Sequence, residues 1–364
     1  MKILTVVGAR PQFIKAAIVS RAILLDNGIE EILVHTGQHF DRNMSDIFFD
    51  ELSIPEPQYN LGIGGGLHGQ NTGRMIEALE KVLLDERPDW VIVYGDTDST
   101  LATAIAVSKL RIPLVHIEAG LRSFNRAMPE EINRILADHC SDLLFAPSQV
   151  AMDNLSSEGL GGEKAHLVGD VMYDAALHFA QVARERGYQL QAPDIEPGSY
   201  VLCTMHRKEN VDDRDRVSGI LAGLAAAGRR TVLPLHPRTR VRLASFDIQL
   251  PENVQAIDPV GYLEMIALES NAAMIVTDSG GVQKEAFFHR VPCVTLRDET
   301  EWVELVAAGV NQLVGADPIR IAEAIAGKVD PGLFDLDLYG GGDAAGRIVK
   351  TLIGTGGGAG RRGN

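Results

Sequence analysis

The sequence predicts an α/β fold made of two Rossmann-like, doubly wound domains with a cleft between them. Short apolar runs rich in β-branched residues alternate with helical patterns along almost the whole chain, which is typical of parallel sheets covered by helices. The alternation stops near residues 169–170 and then starts again. In addition, the 364 residues of the chain exceed the roughly 250–300 that one core usually holds. These observations favour two successive α/β halves.

The predicted elements of the first half are short strands separated by amphipathic helices. The strands span residues 3–7, 31–35, 90–94, 114–117, 143–146 and 166–168, and helical patterns cover residues 13–27, 72–84 and 99–110. Residues 50–66 contain two prolines and a run of glycines, so we expect a long loop there.

The second half repeats this organisation. Its predicted strands span residues 200–204, 230–235, 254–257, 273–277 and 292–296, and its helices span residues 214–227, 262–268, 282–289 and 319–327. We therefore predict an N-terminal domain at residues 1–170 that carries the acid/base residues, and a C-terminal domain at residues 171–343. Residues 344–353 suit a last helix, and the glycine-rich residues 354–364 suit a disordered tail.

Charge and composition limit the possible partners. The chain has 34 Lys and Arg against 49 Asp and Glu, a net charge of −15, which argues against nucleic acid. The three cysteines lie far apart and match neither a disulfide framework nor a zinc site. We expect free thiols in a reducing compartment and no metal site. The first residues suit a strand rather than a signal peptide, and no apolar run approaches the roughly 20 residues that span a bilayer. These features predict a soluble, cytoplasmic protein without a membrane partner.

Carboxylates follow two neighbouring strands and open a helix in the first half. Asp96 ends one apolar run, Glu118 ends the next, and Glu130 lies in a Pro-Glu-Glu motif. The carboxyl ends of parallel strands face the ligand, so we expect these acids to converge. A partly buried carboxylate can exchange protons near neutral pH. Alternatively, Asp96 caps the helix beginning near Ser99, and Glu130 only complements a helix dipole.

The first strand is followed by Gly8-Ala-Arg10-Pro-Gln-Phe-Ile-Lys15. A dinucleotide-binding fold would place G-x-G-x-x-G here, and that fingerprint is absent. The motif offers two cations instead, Arg10 at the turn and Lys15 within the helix. Taken alone, a turn arginine and a solvated lysine explain it better than a binding site.

A second turn, Thr277-Asp-Ser279-Gly-Gly281-Val-Gln-Lys-Glu285, joins a strand to a helix. Ser279 suits an N-cap, and Gly280 and Gly281 let backbone N–H groups approach an anion. With Glu285 placed to reach a sugar hydroxyl, the turn suits a nucleoside diphosphate. The alternative is an ordinary capped helix.

Two basic loops follow successive strands of the second half. One contains His206-Arg-Lys and the other His236-Pro-Arg-Thr-Arg. Both could neutralise a diphosphate, although each alone also suits a solvated surface loop.

Together these motifs resemble the non-hydrolysing UDP-N-acetylglucosamine 2-epimerase family. The similarity covers roughly the first 310 residues in unbroken order. It rests on Gly8-Ala-Arg10-Pro with Lys15, Gly95-Asp96-Thr, Glu118-Ala-Gly-Leu-Arg122, Pro129-Glu130-Glu131-Ile-Asn133-Arg134, His206-Arg207 and Asp278-Ser279-Gly-Gly with Glu285. The resemblance implies the glycosyltransferase-B-like architecture, in which two Rossmann-like domains hold a nucleotide sugar between them.

The resemblance also implies roles for individual residues. UDP would bind the second domain, with phosphate at Ser279, Gly280 and Gly281, and ribose at Glu285. Uracil would lie at the backbone near Asp258 and Tyr262, and Arg10 and His206 would complete the diphosphate site. The implied catalytic residues are Asp96, Glu118, Glu130, Lys15 and His206. The candidate sugar-binding residues are Arg122, Arg126, Asn133 and Arg134.

The implied reaction is epimerisation at C2 of a UDP-2-acetamido sugar through elimination and re-addition of UDP. It requires acid/base groups on both faces of the sugar and cations on the leaving diphosphate, but no cofactor. Several stretches, among them residues 122–130, 282–288, 297–304 and 338–342, look closest to the branch acting on UDP-2,3-diacetamido-2,3-dideoxy-D-glucuronate. Arg122 and Arg126 could then meet the uronate carboxylate.

Other activities fit the same motifs. The substrate could be UDP-N-acetylglucosamine, or the chain could be a glycosyltransferase of the same architecture or a non-catalytic nucleotide-sugar sensor. Clustered carboxylates in the first domain favour an epimerase. Analogy with the family implies a homodimer and a role in bacterial surface polysaccharide (O-antigen) biosynthesis.

Overall fold

The computed structural model describes residues 1–38, 52, 54–188 and 195–356 of the chain. It divides into two compact units, Met1–Ala175 with Asp337–Asn364, and Ala176–Leu336. The division falls within one helix, Val171–Glu185. The predicted domain limits of 170 and 343 remain a prediction. The compact units of the structure instead group residues 337–343 with the first unit.

The first unit contains a seven-stranded parallel sheet in the order β3-β2-β1-β4-β5-β6-β7. The strands are β1 (Lys2–Val7), β2 (Glu30–His35), β3 (Tyr59–Asn60), β4 (Trp90–Tyr94), β5 (Leu114–Ile117), β6 (Leu143–Ala146) and β7 (Ala165–Leu167). The helices are α1 (Arg10–Leu24), α2 (His68–Glu86), α3 (Asp98–Leu110), α4 (Pro129–Cys140), α5 (Gln149–Ser157), α6 (Val171–Glu185) and the C-terminal α14 (Ala344–Gly354), which packs on α1.

The sheet of the first unit reverses its strand order between β1 and β4. Both strands are buried along nearly their whole length, and all five residues of β4 are buried, as expected of central strands in a parallel sheet. In such sheets, ligands bind beyond the carboxyl ends of the strands at the point of reversal. The turns after β1 and β4 lie at this point.

The second unit contains a six-stranded parallel sheet in the order β10-β9-β8-β11-β12-β13. Its strands are β8 (Val201–Thr204), β9 (Thr231–Pro234), β10 (Val254–Ile257), β11 (Met274–Thr277), β12 (Cys293–Thr295) and β13 (Asn311–Leu313). Its helices after α6 are α7 (Lys208–Val211), α8 (Arg214–Ala227), α9 (Pro237–Ser245), α10 (Tyr262–Ser270), α11 (Gly280–Phe288), α12 (Val303–Ala307) and α13 (Pro318–Ala326).

Apolar cores cover both faces of the second sheet. Val201 and Cys203 of β8 belong to one buried cluster, whereas Tyr200 and Leu202 belong to another. Because alternate residues of a strand point to opposite faces, helices must cover this sheet on both sides. Here the strand order reverses between β8 and β11, so the turns after these strands are the expected ligand positions.

Most predicted elements are present in the structure, and the α/β fold of two parallel-sheet units is confirmed. One local prediction was wrong, because the basic segment after His236 forms helix α9 rather than a loop. The expected loop at 50–66 lies partly outside the described residues, and its described part contains the two-residue strand β3. The tail residues 357–364 lie outside the described residues. No helix in the described part of the chain is long and apolar enough to cross a bilayer.

Candidate active site

The turn after β4 carries the predicted acid Asp96 and lies close to a second one, Glu118. Gly95 has a φ of +58°, and a Cβ added there would lie 3.2 Å from Oε2 of Glu118 and 3.3 Å from Nζ of Lys15. Only glycine tolerates both this conformation and this close approach. The N-cap of α3 is Thr97, whose side chain accepts a hydrogen bond from the N–H of Thr100. Asp96 therefore does not cap this helix.

Glu118 and Lys15 form an ion pair in the first unit. Both side chains are largely buried, with 9% of Lys15 and 8% of Glu118 exposed. Glu118 itself has a φ of +70°, an uncommon conformation for a residue with a side chain and one that often marks functional sites. Burial disfavours the charged carboxylate, while the adjacent ammonium favours it. Such a pair can exchange a proton when a ligand alters either environment.

Asp96 is held by helix α4. Arg134 donates from Nη2 to Oδ2 of Asp96 over 2.6 Å and from Nε over 3.0 Å. Asn133 donates to the backbone carbonyl of Asp96 over 2.9 Å and lies 3.3 Å from Oδ1 of Asp98. In this structure the predicted sugar-binding residues Asn133 and Arg134 thus position Asp96.

Glu131, rather than its neighbour Glu130, is the buried acid at the start of α4. Its carboxylate accepts hydrogen bonds from the backbone N–H groups of Ser123 and Phe124 and from the guanidinium of Arg134. Burial would raise its pKa, but these hydrogen bonds lower it. Glu131 therefore fixes the turn that precedes α4. Glu130 is exposed, so it is accessible to a ligand.

The two arginines predicted to meet a uronate, Arg122 and Arg126, differ in their exposure to solvent. Arg122 has 1% of its side chain exposed and pairs with Asp138 over 2.8 Å and with Glu158 over 2.7 Å. Burial would lower its pKa, but these two carboxylates raise it. Its ion pairs tie the end of β5 to α4 and α5, which does not favour the predicted contact with a sugar. Arg126 is exposed.

Gln12, a residue that the sequence analysis did not single out, holds the turn after β1 in place. Its side-chain oxygen accepts from the N–H groups of Gly8 and Ala9 over 2.8 and 3.1 Å, and its amide donates to the carbonyl of Tyr94 over 2.8 Å. Gln12 thus ties the start of α1, where Arg10 is the first residue, to the end of β4.

Asp278 follows β11, at the point where the strand order of the second sheet reverses. It is fully buried and accepts from the backbone N–H groups of His206 and Arg207 and from the side chain of Asn210, over 3.0–3.1 Å. The ring Nδ1 of His206 lies 3.2 Å away. Burial would raise the Asp278 pKa, but His206 and the hydrogen bonds lower it. This carboxylate joins the turns after β8 and β11, and His206 remains half-exposed.

Ser279 caps helix α11, as predicted: its hydroxyl accepts from the N–H of Val282 over 3.5 Å. The carbonyl of Gly280 accepts from the indole N–H of Trp302 over 2.9 Å, and a Cβ at Gly280 would lie 2.5 Å from Oε1 of Glu301. At Gly281 the nearest atom would be 3.9 Å away. The N-terminus of α11 is therefore tightly packed at Gly280 but not at Gly281, where an added Cβ would make only ordinary van der Waals contacts. Backbone N–H groups at such a helix N-terminus suit an anion.

The remaining candidates of the second unit are Tyr262 on α10, Asp258 after β10 and Glu285 on α11. Tyr262 is the first residue of α10, is buried, and contacts the ring of Phe179 edge-on at 5.6 Å. Asp258 is exposed and pairs with Arg240 over 3.2 Å. Glu285 is buried within α11.

The second predicted basic loop pairs its cations with carboxylates. Arg238 and Arg242 both contact Asp212, over 2.5 and 2.9 Å, and His236 caps α9. Phosphate neutralisation by this segment is therefore not favoured.

Two parallel-sheet units, one with acids at its reversal point and the other with a glycine-rich helix N-terminus, define the glycosyltransferase-B class of nucleotide-sugar protein. The calicheamicin glycosyltransferase CalG4 shares this fold, with a TM-score of 0.53 at 14% identity over 98% of this chain and 95% of that chain. A model of the UDP-N-acetylglucosamine 2-epimerase family matches residues 21–353. The chain belongs to this family of UDP-sugar 2-epimerases, which are isomerases.

Two relatives are informative about activity. The UDP-2,3-diacetamido-2,3-dideoxy-D-glucuronate 2-epimerase of Pseudomonas aeruginosa is 54% identical over 358 residues, 97% of this chain and 99% of that protein. The crystal structure of the UDP-GlcNAc 2-epimerase of Methanocaldococcus jannaschii in complex with UDP-GlcNAc and UDP matches with a TM-score of 0.82 at 41% identity. It covers 97% of this chain and 99% of that one.

Proposed function

We propose that the protein interconverts the C2 epimers of UDP-2,3-diacetamido-2,3-dideoxy-D-glucuronate by eliminating and re-adding UDP. The observation that carries the substrate assignment is the 54% identity to an enzyme of that name over nearly the full length of both chains. UDP-N-acetylglucosamine is the second candidate, because more distant relatives of similar length carry that name, at 44% identity or below.

The chemistry requires that the bond from C1 to the UDP oxygen breaks before the C2 proton leaves. The C2 proton lies beside no carbonyl, so its direct removal is unfavourable. Departure of UDP leaves an oxocarbenium-like centre at C1, which acidifies C2. Loss of the C2 proton to a base gives a glycal with UDP still bound. Protonation of the opposite face, followed by return of UDP to C1, completes the epimerisation with no net change in atoms or charge.

We assign UDP to the second unit and proton transfer to the first. The absence of close contacts at Gly281, the Ser279 cap and the half-exposed His206 support diphosphate binding at the N-terminus of α11. Glu285 is proposed to bind ribose, and the backbone at Asp258 and Tyr262 to bind uracil. Arg10 is proposed to neutralise the diphosphate.

Asp96, Glu118 and Glu130 are the proposed acid/base groups. The pairing of Glu118 with Lys15 and of Asp96 with Arg134 supports this assignment, because a charged partner holds each carboxylate in a defined position. Glu130 is the exposed acid at the start of α4. Among the predicted sugar-binding residues, we retain Arg126 as the cation for the uronate and assign Arg122, Asn133 and Arg134 to positioning.

We further propose a homodimer that works in a reducing cytoplasm and supplies a sugar for bacterial surface polysaccharide, such as O-antigen. Three free cysteines support the reducing compartment. Sedimentation of the purified protein tests the dimer.

Proton NMR of each UDP-sugar with the enzyme in D₂O tests the reaction. We expect a new epimer and deuterium at C2, faster with the diacetamido uronate than with UDP-N-acetylglucosamine. Preferential turnover of UDP-N-acetylglucosamine would replace the substrate assignment with the second candidate. A glycosyltransferase would form no C2 epimer without an acceptor, and the absence of both signals with every UDP-sugar would contradict an epimerase.

A further inference from the structure

His116 lies on β5, two residues before Glu118, and is completely buried. Its two ring nitrogens contact different elements. Nε2 lies 2.8 Å from the carbonyl oxygen of Gly95, and Nδ1 lies 2.6 Å from Oδ1 of Asp138 on α4. A carbonyl oxygen can only accept a hydrogen bond. Nε2 must therefore carry a proton.

The contact with Asp138 places a second proton on the ring. The other oxygen of Asp138 accepts from the N–H of Gly120 over 3.1 Å and pairs with Arg122 over 2.8 Å. Asp138 is completely buried. Burial would raise its pKa, but His116 and Arg122 lower it. An ionised Asp138 accepts at both oxygens, so the proton in the 2.6 Å contact belongs to Nδ1 of His116.

The charges around the ring alternate in sign. Asp138 lies between His116 and Arg122, Arg122 also pairs with Glu158, and His139 lies 3.5 Å from Glu158 at the surface. Buried charges are retained when each is paired and hydrogen-bonded. This chain of contacts satisfies that condition for a protonated His116.

We propose that His116 donates from both ring nitrogens, as an imidazolium, and so positions the Gly95–Asp96 turn relative to Glu118. Its Nε2–H holds the carbonyl of Gly95, whose N–H in turn donates to the carbonyl of Ile117 over 3.0 Å. Its Nδ1–H holds α4, the helix whose Arg134 binds Asp96. One ring thus joins β5, the turn after β4 and α4. His116 is a positioning residue, since it acts through the backbone of the turn and not on the sugar.

Ring protonation is tested in the ¹⁵N-labelled full-length wild-type enzyme by two-dimensional ¹H–¹⁵N NMR of histidine side chains, with His116 assigned from the signals missing in His116→Gln. We expect both ring nitrogens of His116 to carry protons at neutral pH. Asp138→Asn removes the accepting carboxylate while preserving shape, so His116 should then lose one ring proton at neutral pH. A neutral His116 in the wild type would overturn the inference.

Positioning is tested by kinetics and rests on the proposed epimerase activity. Because misplacing reacting groups by about 1 Å can cost on the order of a hundredfold, we expect His116→Gln to lower kcat by about ten- to hundredfold with KM unchanged. His139→Gln, a half-exposed histidine of the same region, is the matched control and should retain kcat. An unchanged kcat in a folded His116→Gln would refute the positioning role. Wild-type enzyme inactive on every UDP-sugar would refute the proposed function instead, and the NMR result would stand separately.

Discussion

At the scale of single residues, the pair of Lys15 and Glu118 is the most direct test of the proposed chemistry. Glu118→Gln keeps the shape of the side chain but cannot accept the C2 proton. We expect kcat to fall by about 10²–10⁴-fold, the usual contribution of a general acid or base. Calorimetry should find UDP affinity unchanged, because UDP is assigned to the second unit.

The matched control for this substitution is Glu163→Gln, an exposed carboxylate of the first unit. It should leave both kcat and UDP affinity unchanged. Since Glu118→Gln also leaves the buried Lys15 without its carboxylate, thermal unfolding of the variant should be measured alongside. A folded Glu118→Gln enzyme with wild-type kcat would remove Glu118 from the acid/base groups.

Replacement by glutamine is predicted to affect substrate binding at Arg126 and stability at Arg122. Arg126→Gln should raise KM for the diacetamido uronate by about tenfold, since a hydrogen bond to a charged group contributes about 1.5–3 kcal/mol. Its KM for UDP-N-acetylglucosamine, which lacks the uronate carboxylate, should be unchanged. Arg126→Lys, which keeps the charge, is the control. An equal effect on both substrates would show that Arg126 does not recognise the carboxylate.

Arg122→Gln should instead lower stability, because removing one partner of a buried ion pair costs about 3–5 kcal/mol. Arg122 follows Glu118 closely in the sequence, but the sequence did not predict which groups surround its side chain. Asp138 and Glu158 lie 16 and 36 residues further along the chain, and only the packing of α4 and α5 brings them to Arg122. The inward acid Glu131 was missed for a related reason. A usable signal existed, since Glu131, Arg134 and Asp138 recur at helical spacing and so share one face of α4.

At the scale of elements, short apolar runs predicted several strands well. Strands β4, β5, β6 and β10 have the bounds expected from the sequence, because each run ends abruptly at a glycine, a proline or an acidic residue. Helix α9 was missed because it begins Pro-Arg-Thr-Arg-Val-Arg, in which every second residue is an arginine, and shows little apolar periodicity. Arg238 and Arg242 are held by Asp212, the residue that follows α7. Strand β3 has only two residues, too few to show any period.

The packing of α8 on α13 gives a prediction at this scale. A Cβ at Gly223 would lie 2.7 Å from Cβ of Ile321, and one at Gly219 would lie 2.4 Å from the carbonyl oxygen of Ala316. Gly223→Ala should therefore destabilise the protein by about 1–3 kcal/mol through overpacking, although alanine favours helices by about 1 kcal/mol.

The control for this prediction is Gly73→Ala in α2, where an added Cβ would meet nothing within 4 Å. Here only the helix preference acts, and we expect stabilisation of up to about 1 kcal/mol. Both variants can be compared by urea unfolding followed by circular dichroism. Stabilisation by both would mean that α8 and α13 separate easily enough to accept the methyl group.

At the scale of the whole molecule, the buried His289 predicts how stability changes with pH. Its side chain has 5% of its surface exposed. Burial, with a smaller contribution from the charge of Arg184, lowers its pKa from 6.5 to about 4. Oε2 of Glu269 lies 3.8 Å from Nε2 of His289. His289 is therefore neutral in the folded protein at neutral pH.

The sign of the effect follows from proton binding. Between pH 6.5 and about 4, the unfolded chain binds a proton at His289 that the folded chain does not, so acidification favours unfolding. The contribution of His289 is fully present above pH 6.5 and is lost as the pH falls to about 4. At about 1.4 kcal/mol per pKa unit, the loss is on the order of 3 kcal/mol. The lowered pKa of Asp278 acts in a separate window, because its contribution begins to fall only near its ordinary value of 3.8.

Urea unfolding at a series of pH values checks this prediction. The wild type should lose free energy of unfolding steadily from pH 6.5 towards pH 4, whereas His289→Gln, which cannot be protonated, should show a much shallower slope across that window. His139→Gln, half-exposed in the first unit, should retain the wild-type slope. If His289→Gln and the wild type had parallel profiles, the folded protein would not lower the pKa of His289, and the prediction would be wrong.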